Sequence, residues 1–128
     1  MQKPDVTVFC YGGMLSHAES ALVAAFDEDE ILVEIVCPVQ LYPLNPWPVI
    51  ESLQQTRKLL VVEEGHSFAA LGAELIAQIH ELRPGLLSRC KRLAAPEHPI
   101  PSSGPLELQL LPNAKSIAMA ISGLVRDV

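Results

Sequence analysis

The chain has 128 residues, 49% of them hydrophobic and 19% charged, which suits one domain with a buried core and is too short for a multidomain enzyme. Its formal charge of −6 offers no basic field to neutralise phosphates, so we expect no nucleic-acid partner. The longest uncharged stretch, 35–50, contains four prolines, which argues against a membrane-spanning helix. The first residues make a poor signal peptide, and we expect a cytoplasmic protein.

Strand-like and helix-like segments alternate along the sequence. Apolar runs rich in β-branched residues predict strands at 6–11, 31–37, 59–62 and 90–94. Apolar residues at helical spacing predict helices at 15–26, 47–55, 71–82 and after 112–113. We expect the acidic run 27–30 to end the first helix, and the apolar run 31–37 to be covered on both faces. Strands joined by helices imply right-handed crossovers, and therefore a parallel sheet with helices on both faces.

Eight of the eleven prolines lie in two segments, 38–48 and 96–105. Because proline restricts the backbone, we expect these segments to be ordered, non-helical connections rather than flexible linkers. We therefore predict a single domain over residues 1–128.

The cysteines and histidines do not predict a metal site. Cys10, Cys37 and Cys90 are an odd number without metal-like spacing, and we expect reduced packing residues. The histidines show none of the spacings typical of metal ligands; they are His17, His66, His80 and His98.

Polar residues follow two of the predicted strands, at the sheet edge where open α/β folds bind ligands. Gly12-Gly13 follows the first strand but lacks the G-x-G-x-x-G fingerprint, which favours a tight turn over nucleotide binding. Glu63, Glu64 and His66 form the most polar strand end. His66 has two interpretations: a general acid or base, or, with more weight, a residue that hydrogen-bonds locally at the helix entry.

Basic residues alternate along the fourth strand, at Arg89, Lys91 and Arg92. Such alternation is typical of a half-exposed edge strand, which we favour over a basic surface that binds an acidic partner.

Motifs along nearly the whole chain together resemble a known family. They are 5–8 with Tyr11-Gly12 and Met14, Tyr42-Pro43-Leu44, 61–65, 71–75, 91–93, 95–101, Leu106-Glu107 and 111–113. In order and spacing they resemble the C-terminal domain of transketolase-like enzymes. The beta subunits of thiamine-diphosphate-dependent 2-oxo acid dehydrogenases, of the pyruvate, branched-chain or acetoin type, are the most similar.

The resemblance implies a three-layer α/β/α, Rossmann-like domain with a mainly parallel sheet of about four strands. It also implies a subunit-association role in an oxidoreductase that decarboxylates a 2-oxo acid and passes the acyl group to lipoate. Thiamine diphosphate and Mg belong to preceding domains of that parent enzyme, so we expect this chain to bind no cofactor or metal, to contain no catalytic residue and to be inactive alone.

The implied partners are other domains and subunits of the parent enzyme, the dihydrolipoyl acyltransferase and a second copy of the chain. Several residues are candidates for an interface or for the vicinity of the parent's active site. They are Glu64, Gly65, His66, Gly72, Glu74, Arg92 and His98.

The sequence departs from the family pattern at several positions. Alanines stand at 69–70 where relatives have a glycine pair, and Gln40 replaces an arginine. Ser88 and Arg89 stand where relatives offer an acidic residue for acyltransferase docking, which leaves that contact open. The family's antiparallel edge strand, which would precede the first strand, is missing. We therefore expect an unpaired apolar edge at 31–37, self-association through it, and a chain that is a fragment of a longer beta subunit.

Two alternatives stay open. One is a free-standing α/β binding or interaction module, and the other is the C-terminal domain of another transketolase-like enzyme, such as deoxyxylulose-phosphate synthase. The residues encoded upstream of Gln2 would discriminate between a fragment and a free-standing module.

Overall fold

The computed structural model describes residues 3–41, 43–66, 71–95 and 112–126. Within them, strands and helices alternate in this order: β1 Val6–Cys10, α1 Met14–Asp29, β2 Val33–Val36, α2 Trp47–Thr56, β3 Lys58–His66, α3 Leu71–Leu82, β4 Arg89–Ala95 and α4 Ala114–Arg126. The predicted α/β alternation is confirmed. The single-domain assignment for 1–128 stays a prediction.

All pairings between the described strands are parallel, and the strand order is β2-β1-β3-β4. The central strand β1 is buried along its whole length because it has a neighbour on each side and helices above and below. As predicted, β2 lies at one edge, and in the described part of the chain no further strand pairs with it. β4 forms the other edge.

Helices cover both faces of the sheet and give three layers. Val8 of β1 packs in a core with residues of α1 and α4, whereas its neighbour Phe9 packs against α2 and α3. This division follows from strand geometry, since successive side chains point to opposite faces. None of the described helices is long and apolar enough to cross a membrane.

A buried hydroxyl cluster holds α2 against the sheet. The Thr7 hydroxyl lies 2.6 Å from the Ser52 hydroxyl and 2.7 Å from that of Thr56, and all three residues are buried. Each hydroxyl can donate and accept, so the cluster satisfies polar groups that would otherwise be buried without partners. It was not predicted, because Thr7 lies in a run that is otherwise apolar and aromatic.

Several predicted boundaries and exposures are wrong. β2 covers only Val33–Val36 and is half-exposed rather than covered on both faces, because it is an edge strand. α1 extends beyond the predicted 15–26 to Asp29. It ends within the acidic run, as predicted, at Glu30, which adopts a left-handed φ of 56°. An ion pair between Asp29 and Arg126 of α4 stabilises this last turn.

Only one of the three cysteines is a buried packing residue. Cys10 is buried in β1, as predicted, but Cys37 and Cys90 are exposed. Cys37 directly follows the edge strand β2, and Cys90 lies on the edge strand β4, where the sheet covers fewer side chains.

Candidate functional site at the carboxyl edge of the sheet

Two successive glutamates at the end of β3 bind the N-termini of two helices on opposite faces of the sheet. The Glu63 carboxylate accepts a hydrogen bond from the Gly72 amide, 2.5 Å away, at the start of α3. The Glu64 carboxylate accepts one from the amide of Gly13, the N-cap of α1, at 3.1 Å. Unpaired amides and the helix dipole favour negative charge at such positions. Both carboxylates therefore have a structural role.

The turn between β1 and α1 needs a glycine at position 12. Gly12 has a φ of +64°, which side chains rarely adopt. A Cβ on Gly13 would lie 2.9 Å from the Glu64 Oε1 atom, which is the end of an exposed side chain that can shift. The prediction of a tight turn at Gly12-Gly13 is confirmed.

Gly72 permits a close approach of α3 to β3. A Cβ at this position would overlap the Glu63 carboxylate and lie 2.6 Å from the Val61 Cγ1 atom. Both neighbours are buried residues of the inner strand β3, so they have little room to move. The predicted site residue Gly72 is therefore required by packing.

Glu63 is an ionisable group inside the fold, with only 1% of its surface exposed. Burial raises the pKa of its carboxyl above the ordinary value, although the Gly72 amide, Arg92 and Tyr11 each act to lower it. In turn, burial and then the two glutamates raise the pKa of Tyr11 to about 12. Tyr11, Glu63 and Arg92 thus form one electrostatic cluster across β1, β3 and β4.

The structure brings three of the predicted site residues to this edge. Glu64 binds the start of α1, and Gly72 at the start of α3 binds Glu63. The charge of half-buried Arg92 acts to lower the pKa of Glu63. Glu74 is exposed in the first turn of α3 and accepts a 3.4 Å hydrogen bond from the Gln78 amide, so it lies outside the cluster.

The other predicted site residues are only partly described. Gly65 and His66 belong to the backbone of β3, where a register irregularity between Val62 and His66 lets His66 pair with Ala95. The side chain of His66 lies outside the described structure. So do residues 67–70 and His98 in 96–111, where several of the family motifs fall.

The basic residues of β4 only partly match the interpretation of a solvated edge. β4 is an edge strand and Lys91 is exposed, as predicted. The Arg89 guanidinium, however, donates a 3.1 Å hydrogen bond to the carbonyl oxygen of Leu124 near the end of α4. The neighbouring Ser88 amide donates to the Arg57 carbonyl at 2.8 Å, so both positions have internal contacts.

Sequence reasoning placed Glu63 in a polar strand end but did not assign it to the site, and it missed the contribution of Tyr11. The position of Glu63 was the available signal. Successive side chains of a strand point to opposite faces, so in an inner strand that helices cover on both faces, one of Glu63 and Glu64 must point towards each helix layer. Tyr11 offered no such signal, since its neighbour on β3 depends on the sheet register.

The carboxyl edge does not suit a diphosphate. The side chains of Glu63 and Glu64 place two carboxylates at the helix starts, where an anionic ligand would otherwise bind. Among the described residues, no group of three or more His, Cys, Asp and Glu could hold a metal ion.

Comparison with known proteins gives consistent matches. The model of the family described as "Transketolase, C-terminal domain" matches residues 1–117. The chain is 32% identical over 122 residues to the pyruvate dehydrogenase E1 component subunit beta of Gracilaria tenuistipitata var. liui, covering 94% of this chain and 38% of that protein. It is 32% identical over 114 residues to the acetoin:2,6-dichlorophenolindophenol oxidoreductase subunit beta of Bacillus subtilis, covering 88% of this chain and 33% of that protein.

The fold is also found in a solved structure. A split gene transketolase, solved as an inactive beta4 tetramer, is similar with a TM-score of 0.81 at 18% identity, covering 98% of this chain and 39% of that one. The chain therefore spans less than two fifths of the length of these relatives.

Proposed function

The chain belongs to the transketolase C-terminal domain family, and from this membership we propose that it is the subunit-association domain of a 2-oxo acid dehydrogenase beta subunit. The observation that carries the proposal is the 32% identity to beta subunits of two kinds, over 94% and 88% of the chain. The parent enzyme would use thiamine diphosphate to decarboxylate a 2-oxo acid oxidatively and would pass the acyl group to lipoate.

The contacts at the carboxyl edge support a structural role for this domain. A general acid or base must reach a proton of the substrate. Glu63 is buried and hydrogen-bonded to the start of α3, and Glu64 is bonded to the N-cap of α1. We therefore propose that the isolated chain is inactive and that catalytic residues belong to other domains of the parent enzyme.

The charge at this edge also supports a cofactor site elsewhere. The exposed Glu64 carboxylate would repel the diphosphate of thiamine diphosphate, and the Glu63 carboxyl already binds the amide at the start of α3. The residues present thus do not fit this cofactor, and we propose that other domains hold it together with Mg.

Exposed apolar side chains support association with other subunits. Val23 and Phe26 on α1 are exposed, and so is Met119 on α4, which lines a cleft of about 470 Å³ between the two helices. Apolar surface of this kind is typical of protein interfaces. Together with the edge of β2, which pairs with no further described strand, it supports association with subunits of the parent enzyme and with a second copy. Docking of the acyltransferase and a cytoplasmic location stay predictions.

Immunodepletion of an extract from the source organism tests the parent activity. Antibodies raised against the chain should remove the reduction of an artificial electron acceptor that depends on one of three substrates: pyruvate, a branched-chain 2-oxo acid or the acyloin acetoin. The activity that is lost identifies the substrate. Antibodies to an unrelated protein serve as the control. If all of these activities stay in the depleted extract, the proposal is wrong.

Two measurements on the chain itself test the role of the domain. Calorimetry with thiamine diphosphate and Mg²⁺ should give no binding heat, and tight binding would overturn the assignment. Sedimentation velocity should show concentration-dependent association that Phe26→Glu weakens. Leu82→Glu, at an exposed position on the opposite face, is the matched control. A strictly monomeric wild-type chain would exclude homo-association.

A further inference from the structure

Two of the three cysteines end neighbouring parallel strands. Cys10 is the last residue of β1 and Cys37 directly follows β2. The register pairs Phe9 with Val36, so Cys10 and Cys37 occupy the next pair of positions. Pro38 favours an extended backbone at Cys37, which continues the strand direction. Adjacent strands lie about 4.8 Å apart, within the range of about 4.4–6.8 Å between the Cα atoms of a disulfide.

The two thiols also share one face of the sheet. Cys10 belongs to the core under α1 and α4, and Ile35 of β2 packs against that same core. Because side chains alternate along a strand, Cys37 points to the same side as Ile35. Cys37 also contributes to the raised pKa of Cys10, which indicates that the two thiols interact. The two thiols therefore occupy neighbouring positions on one face of the sheet.

The surroundings of the two thiols differ in a way that gives them separate chemical roles. Cys37 is exposed, whereas Cys10 has no exposed surface. Of the two thiols, a small solute can thus reach only that of Cys37. Burial, with a further contribution from Cys37, raises the pKa of Cys10 to about 12, so Cys10 stays a thiol in the reduced protein.

We propose that Cys10 and Cys37 form an oxidation site, a dithiol that a hydroperoxide converts into an intramolecular disulfide. The Cys37 thiolate attacks a peroxide oxygen; an S–O bond forms and the O–O bond breaks. The leaving alkoxide, or hydroxide when the oxidant is hydrogen peroxide, takes up a proton and departs as an alcohol or as water. The Cys10 sulfur then attacks the Cys37 sulfenic acid, the S–S bond forms and the S–O bond breaks. The released hydroxide takes the Cys10 proton and leaves as water. Two thiols lose two electrons in total, and the hydroperoxide gains them.

Cys90 provides an internal comparison. It is exposed like Cys37, but it pairs in register with Leu59, which in turn pairs with Thr7, so it lies at another level of the sheet and two strands away from β1. A disulfide between Cys90 and either other cysteine would need the sheet to come apart. General oxidation of exposed thiols and oxidation of the Cys10–Cys37 pair are therefore distinguishable.

The test is peptide mapping of the 128-residue chain after treatment with hydrogen peroxide, alkylation under denaturing conditions and mass spectrometry without reduction. We expect a linked peptide pair containing Cys10 and Cys37, which dithiothreitol separates, while a Cys10–Cys90 or Cys37–Cys90 link within one chain does not form. In Cys37→Ser, the rate at which peroxide makes Cys10 resistant to alkylation should fall at least about tenfold, because Cys10 is inaccessible. The matched control Cys90→Ser should form the linked pair at the wild-type rate.

Two outcomes would overturn the proposal. One is a wild-type chain in which Cys37 proceeds to sulfinic acid while Cys10 stays free for alkylation. The other is disulfide only between chains. Neither outcome depends on the parent activity, since the mapping needs no partner and no cofactor.

Discussion

Gly72 controls how closely α3 can approach the sheet, and Gly72→Ala tests this packing directly. The added methyl would overlap the Glu63 carboxylate and lie 2.6 Å from the Val61 Cγ1 atom. The Gly72 amide is also the hydrogen-bond donor to Glu63. To make room, α3 must move away from β3, which weakens that hydrogen bond as well.

The expected magnitude combines three effects. Overpacking of a well-packed core costs about 1–3 kcal/mol. A buried carboxylate that loses its hydrogen bond costs about another 1–3 kcal/mol. Alanine in place of glycine in a helix contributes about 0.5–1 kcal/mol of stabilisation. Gly72→Ala should therefore lower the free energy of unfolding by about 1–5 kcal/mol, a large part of the roughly 5–15 kcal/mol typical of a domain.

Urea unfolding of the two proteins, followed by circular dichroism, measures this difference. The matched control is Gly123→Ala in α4, where a Cβ would have nothing within 4 Å. Because only the helix propensity changes there, Gly123→Ala should raise the free energy of unfolding by about 0.5–1 kcal/mol. The same substitution is thus expected to lower the free energy of unfolding at position 72 and to raise it at position 123. A Gly72→Ala protein as stable as the wild type would refute the packing argument.

Two further predictions concern buried polar groups. Because burial raises the pKa of Glu63 in the folded state, its ionisation opposes folding, and its contribution to stability is lost as the pH rises from about 4.3 through the folded pKa. Urea unfolding at several pH values should thus show that the stability of Glu63→Gln relative to wild type increases across this window. A difference that is independent of pH would contradict the assignment. Thr7→Val should cost about 1–3 kcal/mol, because the hydroxyls of Ser52 and Thr56 lose a buried partner. In the same assay the loss in Thr7→Val/Ser52→Ala should be smaller than the sum of the single losses, and additive losses would exclude the shared cluster.

Local patterns were sufficient to predict the order and type of the described elements. Apolar periodicity marks β1 and α3, and the glycines after β1 mark the turn into α1. The alternation of strands and helices then implies a parallel sheet with helices on both faces, since each apolar face must be covered. Family membership followed from the order and spacing of short motifs, and the comparisons confirm it.

Other features depended on contacts between distant parts of the chain. The edge position of β2 decides that it is half-exposed and that Cys37 reaches solvent, although 31–37 is as apolar in sequence as a buried strand. The carboxylates at the end of β3 acquire their roles only when α1 and α3 begin beside them.

The sequence by itself thus determined the succession of elements and the family, because both are encoded in residues close together along the chain. Only the tertiary structure decided which side chains meet at the carboxyl edge. Parallel register brings Cys10 beside Cys37 and groups Tyr11, Glu63 and Arg92, across separations in sequence that no local pattern can encode. The physical reason is that burial and electrostatic environment depend on neighbours in space, which the packing of helices on both faces of the sheet defines.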